Sequence, residues 1–450
     1  MTIDHTHDIA ASSWLASANI SECDFPIQNL PLSVFRRAGS NEPYRGGMAI
    51  GDQAIDLAAF AQTPGLDAAL LEALRACAAT TLNGFLALGQ KTWTALRHGM
   101  FAVLSKDSDE RFRAALQAAL IPLAEIEYGV PLAIGDYTDF YTSIDHATNI
   151  GKLIRNDEPV TRNFRWIPIA YHGRVSSIGV SGQRVYRPYG QSVTAGAAIP
   201  TFGPCAKLDY ELELGVFVGR ATRQGESLDV DDASKHLFGV CLLNDWSARD
   251  IQWWEMAPLG PFLAKNFATT VSPWIVTLDA LAPYRKQWTR DAADPQPLPY
   301  LESPANRECG ALDVRLEVNL HSALQRSAGR PPARLSSTSF AHQYWSIAQM
   351  LAHHTSGGCP MNVGDLIGTG TISGPGNGEA GALIELSRSG STPVDIGGGE
   401  TRSFVEDGDV VILRGWCERE GFARIGFGEC RAEIVGSWDA VGGGGRPRTN

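Results

Sequence analysis

Four carboxylates in three short stretches carry the strongest chemical signal in this chain: Asp139, the pair Glu211 and Glu213, and Asp245. Residues 210–219 are rich in β-branched and aromatic side chains and predict a buried strand. Strand side chains alternate, so Glu211 and Glu213 share a face, with Cα atoms about 6.5–7 Å apart. Two like charges on a half-buried face repel and lose hydration. A hard divalent cation relieves both penalties, because Mg²⁺ and Ca²⁺ prefer carboxylate oxygens. Pairing of each Glu with a surface Lys or Arg on a solvated strand face is the alternative.

Residues 237–243 predict a second apolar strand, which ends in Asn244-Asp245. Residues 246–256 predict a helix stopped by Pro258 and Gly260, with Lys265 in the following loop. On that helix Asp245, Arg249 and Gln252 fall at i, i+4 and i+7 and share one face. An acid, a permanent cation and an amide then converge where the strand ends. An exposed Asp–Arg pair of little energetic value is the plainer reading.

The elements that must position these groups belong to a large, acidic chain. Its 450 residues predict two or three domains. Apolar content of 44% with 19% charged residues fits a folded enzyme rather than a disordered chain. A net charge of −11 without any Lys/Arg run argues against nucleic acid as a partner. Arg155, Arg249 and Lys265 offer local cations for an anionic small-molecule substrate. No apolar stretch predicts a membrane span or signal peptide. Eight scattered cysteines without a Cys-x-x-Cys pair predict reduced thiols and a cytoplasmic location. His5 and His7 are expected in a disordered start.

Organisation along the chain predicts an α+β protein, mainly β. Residues 33–37 and 48–58 predict short strands, while 66–88 and 107–120 carry helical spacing. Together they suggest a small SH3-like barrel module with packed helices over 1–121. A composition shift at Ile121-Pro122 suggests a linker running to Pro131. The catalytic domain is expected over 122–440, with strands at 365–367, 382–386 and 409–413 and a helix at 346–354 whose His353-His354 end caps carbonyls. Gly-rich residues 441–450 read as a flexible tail. Gly368-Thr-Gly370 lacks the βαβ context of a dinucleotide fingerprint and is discounted.

One stretch, residues 135–151, packs Asp136, Asp139, Tyr141, Asp145 and His146 together. Taken with other motifs it resembles the long form of the fumarylacetoacetase family. The resemblance rests on Asp136-Tyr-Thr-Asp-Phe-Tyr141, His146-Ala-Thr-Asn149, Tyr171-His-Gly-Arg-Val-Ser-Ser-Ile178, Asp209-Tyr-Glu-Leu-Glu213, Asn244-Asp-Trp-Ser-Ala-Arg-Asp-Ile-Gln252, Pro258-Leu-Gly-Pro-Phe-Leu-Ala-Lys265 and Gly370-Thr-Ile-Ser-Gly-Pro375. It covers most of 134–440 in order and extends more loosely to the N-terminal module.

The resemblance implies a mixed β-sandwich roll, a homodimer, and a Mg²⁺ or Ca²⁺ held by Asp139, Glu211, Glu213 and Asp245. It implies a second Mg²⁺ position near Lys265 and Thr269. His146 becomes the general base oriented by Glu385, and Arg249, Gln252 and Lys265 become the oxyanion donors. Tyr141, Arg155, Tyr171, Gln252 and Thr371 match substrate contacts. The implied reaction is metal-dependent hydrolysis of 4-fumarylacetoacetate to fumarate and acetoacetate, the last step of phenylalanine and tyrosine breakdown. Acylpyruvate or another 1,3-diketone or 2-keto acid of the same superfamily is the alternative substrate. Three positions depart from the family pattern. Met256 replaces a usual tyrosine, Ile144-Asp145 precedes His146 where a different pair is usual, and Ala268 stands for glycine. Asp145 raises the basicity of His146 if it faces the pocket and does nothing if it faces solvent.

Overall fold

The computed structural model describes residues 2–155, 157–194 and 196–438. The expected tail, 441–450, lies outside the described residues. Helix and strand take 27% and 28% of the chain, so it is α+β with no β majority.

The first module is a five-stranded antiparallel sheet, in the order Leu120–Pro122, Gln53–Asp56, Arg45–Ile50, Leu32–Arg37, Ile126–Gly129. Residues 121–131, expected as a linker, instead supply its two edge strands. Ile121 pairs with Ala54, and Tyr128 with Phe35. The apolar residues there face the sheet core (Ile121 and Ile126 are buried), which overrides the turn-like look of Ile-Pro, and the first module extends to Gly129. Helix Ala68–Cys77 lies directly on this sheet, where a Cβ on Gly46 would sit 2.1 Å from the Cys77 carbonyl. The helical pattern at 66–88 is broken into Ala68–Cys77 and Asn83–Ala87. A 15-residue helix, Gln90–Leu104, follows; it escaped the sequence reading although Trp93, Leu96, Met100 and Leu104 recur at helical spacing. The chain start is ordered, not disordered. Asp4 caps the turn His5–His7, and the His7 ring meets the Asp279 carbonyl at 2.8 Å.

The remainder is built on two large sheets, with four two-stranded ribbons beside them among the described residues. One runs in the order Ile169–His172, Tyr137–Tyr141, Leu366–Gly368, Leu212–Val218, Leu237–Asp245, Thr269–Val271, Ile178–Val180, with Val276–Thr277 also paired to the fifth. The other runs Ala333–Ser339, Arg315–His321, Val410–Cys417, Ile425–Val435, Arg184–Tyr186. Leu212, Leu214 and Val216 from the first sheet meet Leu316, Leu413 and Phe427 from the second in one core. The opposite face of the first sheet is also covered. Tyr137, Phe217, Cys241 and Leu243 pack into the core of the N-terminal module. The Trp93 ring from helix Gln90–Leu104 stands 4.9 Å from that of Phe238.

Residues 382–386, expected as a strand, form a short helical turn, Leu383–Leu386. Apolarity alone does not separate a buried turn from a strand over four residues. His353 and His354 do not cap carbonyls. His354 bonds the Thr138 hydroxyl at 2.8 Å, and His353 bonds Tyr300 at 3.0 Å. All eight cysteines are unpaired thiols, five of them buried. Among the described residues, no helix is long and apolar enough to cross a membrane.

Candidate active site

Strand parity builds the site. Tyr137 and Asp139, Phe217 and Glu213, and Leu243 and Asp245 each differ by an even step and so share a face. The face that packs on the N-terminal module therefore turns acidic a few residues along each strand. Asp139, Glu213 and Asp245 are all buried, and each places a carboxylate oxygen within 4.8 Å of the others. Gly368 lets them approach, since a Cβ there would lie 3.0 Å from both Asp139 Oδ1 and Glu213 Oε2. Gly370, at φ +76°, donates its N–H to Glu213 Oε2 at 3.0 Å; a Cβ there would collide with the Phe140 carbonyl at 2.2 Å.

Asp139 Oδ1 and Glu213 Oε1 are buried without a hydrogen-bond partner. Burial, and then the neighbouring acids, push both carboxyls well above the usual range. Orphaned, crowded carboxylate oxygens are what a hard divalent cation needs, so these three of the four implied ligands fit such an ion, and Glu211 stands outside their group.

Glu211 differs from its neighbour. It precedes the strand in an isolated bridge to Ala382. Its Oε2 lies 2.7 Å from Lys265 Nζ and its Oε1 2.7 Å from Arg249 Nη1. Ser247 donates its hydroxyl to the same Oε1 at 3.1 Å. Burial alone would raise the Glu211 carboxyl, but Lys265 and then Arg249 hold it below its ordinary value. Lys265 also donates to Asp245 Oδ2 at 2.7 Å, beside the Tyr171 hydroxyl at 3.0 Å. Burial works against the Lys265 ammonium, but Asp245 and Glu211 prevail and its pKa rises. A protonated ammonium has no lone pair for a second Mg²⁺, and Thr269 donates its hydroxyl to Asp245 Oδ1 at 3.1 Å.

The helix expected over 246–256 begins only at Arg249. Asp245 closes the strand, paired with Thr269, and Ser247-Ala248 bridges to Leu208-Asp209. The reason is Trp246: fully buried, with its indole N–H bonded to the Thr270 hydroxyl, it holds the backbone in the sheet. Asp245 and Arg249 therefore meet through Glu211 and Lys265 and share no helix face. Gln252 does sit on the helix, its Oε1 accepting from Arg249 Nη1 at 3.2 Å.

His146 lies in helix Ile144–Ile154, whose cap Ser143 accepts the His146 N–H. Its Nδ1 is 2.7 Å from Glu385 Oε1. Glu385 also accepts from Asn149 Nδ2 at 2.8 Å and Ser373 Oγ at 2.9 Å. Burial would raise its pKa, but His146 and these donors lower it. Asn149 and Ser373 sit inside the quoted motifs, which by themselves do not show their role. The i, i+3 spacing of His146 and Asn149 on one helix was the available signal. The Tyr141 ring stands edge-on to His146 with centroids 5.4 Å apart. Thr371 is buried with its hydroxyl unpartnered. Arg155 is exposed at the helix end, donating to the Pro159 carbonyl, and Met256 is 38% exposed at the end of helix Arg249–Glu255. Asp145 is half-buried, which raises its carboxyl, with His342 opposing the shift.

The sequence matches the family description "Fumarylacetoacetate (FAA) hydrolase C-terminal" over residues 137–435 and "Fumarylacetoacetase N-terminal" over 28–131. A fumarylacetoacetase from Oryza sativa subsp. japonica is 44% identical over 416 residues, covering 91% of this chain and 94% of the relative. One from Homo sapiens is 43% identical over 418 residues, covering 92% and 97%. A solved fumarylacetoacetate hydrolase from Exiguobacterium antarcticum superposes with a TM-score of 0.49 at 18% identity, covering 90% of this chain and 99% of the other. Matched in both its modules and across almost its whole length, the chain belongs to the fumarylacetoacetate hydrolase family.

Proposed function

We propose that this protein is a fumarylacetoacetase, hydrolysing the carbon–carbon bond of 4-fumarylacetoacetate to fumarate and acetoacetate as the last step of phenylalanine and tyrosine breakdown. The observation that carries the reading is the buried His146–Glu385 pair beside Arg249 and Lys265, in a chain whose near relatives bear that name. Glu385 takes the Nδ1 proton of His146 as a hydrogen bond and leaves Nε2 basic. His146 removes a proton from water, and the hydroxide adds to the carbonyl next to the fumaryl double bond. Arg249 and Lys265, with the amide of Gln252, donate to the oxyanion that forms. Losing one such donor typically costs about 10²–10³ in rate.

Collapse of the adduct breaks the carbon–carbon bond, and the electron pair leaves on the acetoacetate carbon. Lys265 protonates that carbon and regains a proton from the one His146 took, while the new carboxyl ionises to solvent. A divalent cation held by Asp139, Glu211, Glu213 and Asp245 would supply Lewis-acid charge for the diketone oxygens, and Mg²⁺ or Ca²⁺ suits an all-oxygen set. Tyr141, Tyr171 and Thr371 line the substrate side, with Arg155 at its rim for a terminal carboxylate. Unpaired thiols favour a reducing, cytoplasmic setting. Exposed Leu259 and Phe262 favour a homodimer.

The test is loss of diketone absorbance when purified protein meets fumarylacetoacetate, with EDTA and then with Mg²⁺ or Ca²⁺ restored. Metal-restored release of fumarate and acetoacetate is expected. Absence of cleavage under every metal condition would overturn the assignment and point to a shorter acylpyruvate.

A further inference from the structure

Asp209 takes part in no step of the chemistry above, yet its fully buried carboxylate is fully engaged. Oδ1 accepts the backbone N–H groups of Tyr210 and Leu383, both at 2.9 Å. Oδ2 accepts the Ile384 N–H at 3.1 Å and Arg249 Nε at 2.9 Å. Leu383 and Ile384 open the four-residue turn whose third member is Glu385. The first amides of such a turn have no internal partner, and the residue before it, Ala382, offers no side-chain cap. Asp209 caps it from another strand.

At its far end the turn runs into two consecutive non-glycine residues with left-handed backbone, Arg388 at φ 49° and Ser389 at φ 57°. Such conformations persist only where the surroundings over-determine them. The braced turn presents Glu385 to His146 Nδ1 at 2.7 Å. Through Oδ2 the Asp209 carboxylate also holds Arg249, which reaches Glu211 with Nη1.

We infer that Asp209 is a positioning residue: it fixes Arg249 and the Glu385-bearing turn relative to each other, so that base and oxyanion donor address one carbonyl. The roles of Arg249 and Glu385 rest on the proposed function; the brace itself does not. An ordinary buried ion pair would lower stability without coupling to either group.

The test compares full-length wild type, Asp209→Asn, Glu385→Gln, Arg249→Lys and the two double variants that pair Asp209→Asn with the others, at saturating Mg²⁺. Loss of an outer partner of this kind typically costs about 10–100-fold in activity, and that loss is expected in kcat with KM changed less than about threefold. Residues acting as a unit are non-additive. Each second substitution should therefore cost much less in the Asp209→Asn background than in wild type. Fold-losses that multiply in both double variants, or a kcat within about twofold of wild type, would overturn the inference.

Hydrogen exchange of the Leu383 and Ile384 amides reads the brace without turnover. Faster exchange in Asp209→Asn upholds it even if wild type proves inactive on fumarylacetoacetate, an outcome that would sink only the functional reading. Unchanged exchange overturns it. If Asp209→Asn does not fold, Asp209→Ser, which keeps an acceptor oxygen without a clashing amide, takes its place under the same criteria.

Discussion

The acidic cluster has two halves that look alike in sequence and differ in physics. Glu211 and Asp245 share the Lys265 ammonium, and Glu211 also holds Arg249. Glu213, two residues along from Glu211 on the same face, and Asp139 on another strand form no ion pair with any cation among the described residues, and each buries an oxygen with no donor. Of the two explanations open for a Glu-x-Glu strand, a cation of the protein meets Glu211, while Glu213 meets none and fits a cation from solution. The protein completes one half with its own side chains. The other keeps oxygens that only a proton or an added cation can satisfy.

The largest expected effect comes from breaking the self-completed half. Lys265→Met leaves Glu211 and Asp245 short of their shared ammonium. Stranding a buried charge in this way costs about 3–5 kcal/mol, and loss of the donor costs about 10²–10³ in kcat. Denaturant unfolding and steady-state rates check both, and a wild-type stability would erase the distinction between the halves.

Next in size is a paired comparison. Glu213→Gln should weaken Mg²⁺ or Ca²⁺ binding by at least about tenfold, because ligand charge sets affinity, while leaving the metal-free protein as stable as wild type or more so. Glu211→Gln should weaken metal binding too, but it should also destabilise the metal-free protein by about 1–3 kcal/mol, the cost of under-satisfied buried donors. Calorimetric titration and melting temperature separate the two; identical behaviour would mean that the halves are equivalent.

Opposite pH dependences follow from the same contrast. The raised carboxyls of Asp139 and Glu213 keep protons that the unfolded chain gives up above about pH 4. Their contribution to the metal-free protein is complete below that pH and is lost as pH rises through their folded-state values. Glu211, held low, contributes above its unfolded value and loses that contribution as pH falls. Metal uptake near neutrality should displace the protons on the first pair. Titration calorimetry in two buffers of different ionisation enthalpy measures their release, and no release would contradict the raised values. Smallest of all, Thr371→Val removes a buried hydroxyl that bonds nothing in the protein. Stability should stay the same or rise, because an unsatisfied buried hydroxyl gives way to a methyl of the same shape, while KM for the diketone rises.

Residue types and strand alternation made much of this site legible beforehand. The shared face of Glu211 and Glu213 needed only the period of a strand. Which of the two meets a lysine could not be read, because Lys265 arrives from a loop whose path depends on Trp246 staying in the sheet. Resemblance supplies a partner for Glu385, but its apolar neighbours read as a strand; its turn forms because Asp209, far away in sequence, caps it. The linker expected at 121–131 failed for the same reason. Its strands are made by pairing with Leu32–Arg37 and Gln53–Asp56, and pairing of distant segments leaves little trace in a local window.

The strand face that carries the acids passes within a few residues into the apolar floor of the N-terminal module, through Tyr137, Phe217 and Leu243. The two modules therefore share their structural members and should melt in one calorimetric transition. A ligand that binds only the folded state at a hundredfold excess over its Kd adds about 2.7 kcal/mol to that transition. An added cation at the carboxylates would thus raise the melting temperature of helix Gln90–Leu104, which touches none of them. A chain cut after Gly129 would not yield two domains; it would lay bare an apolar sheet whose cover has been removed.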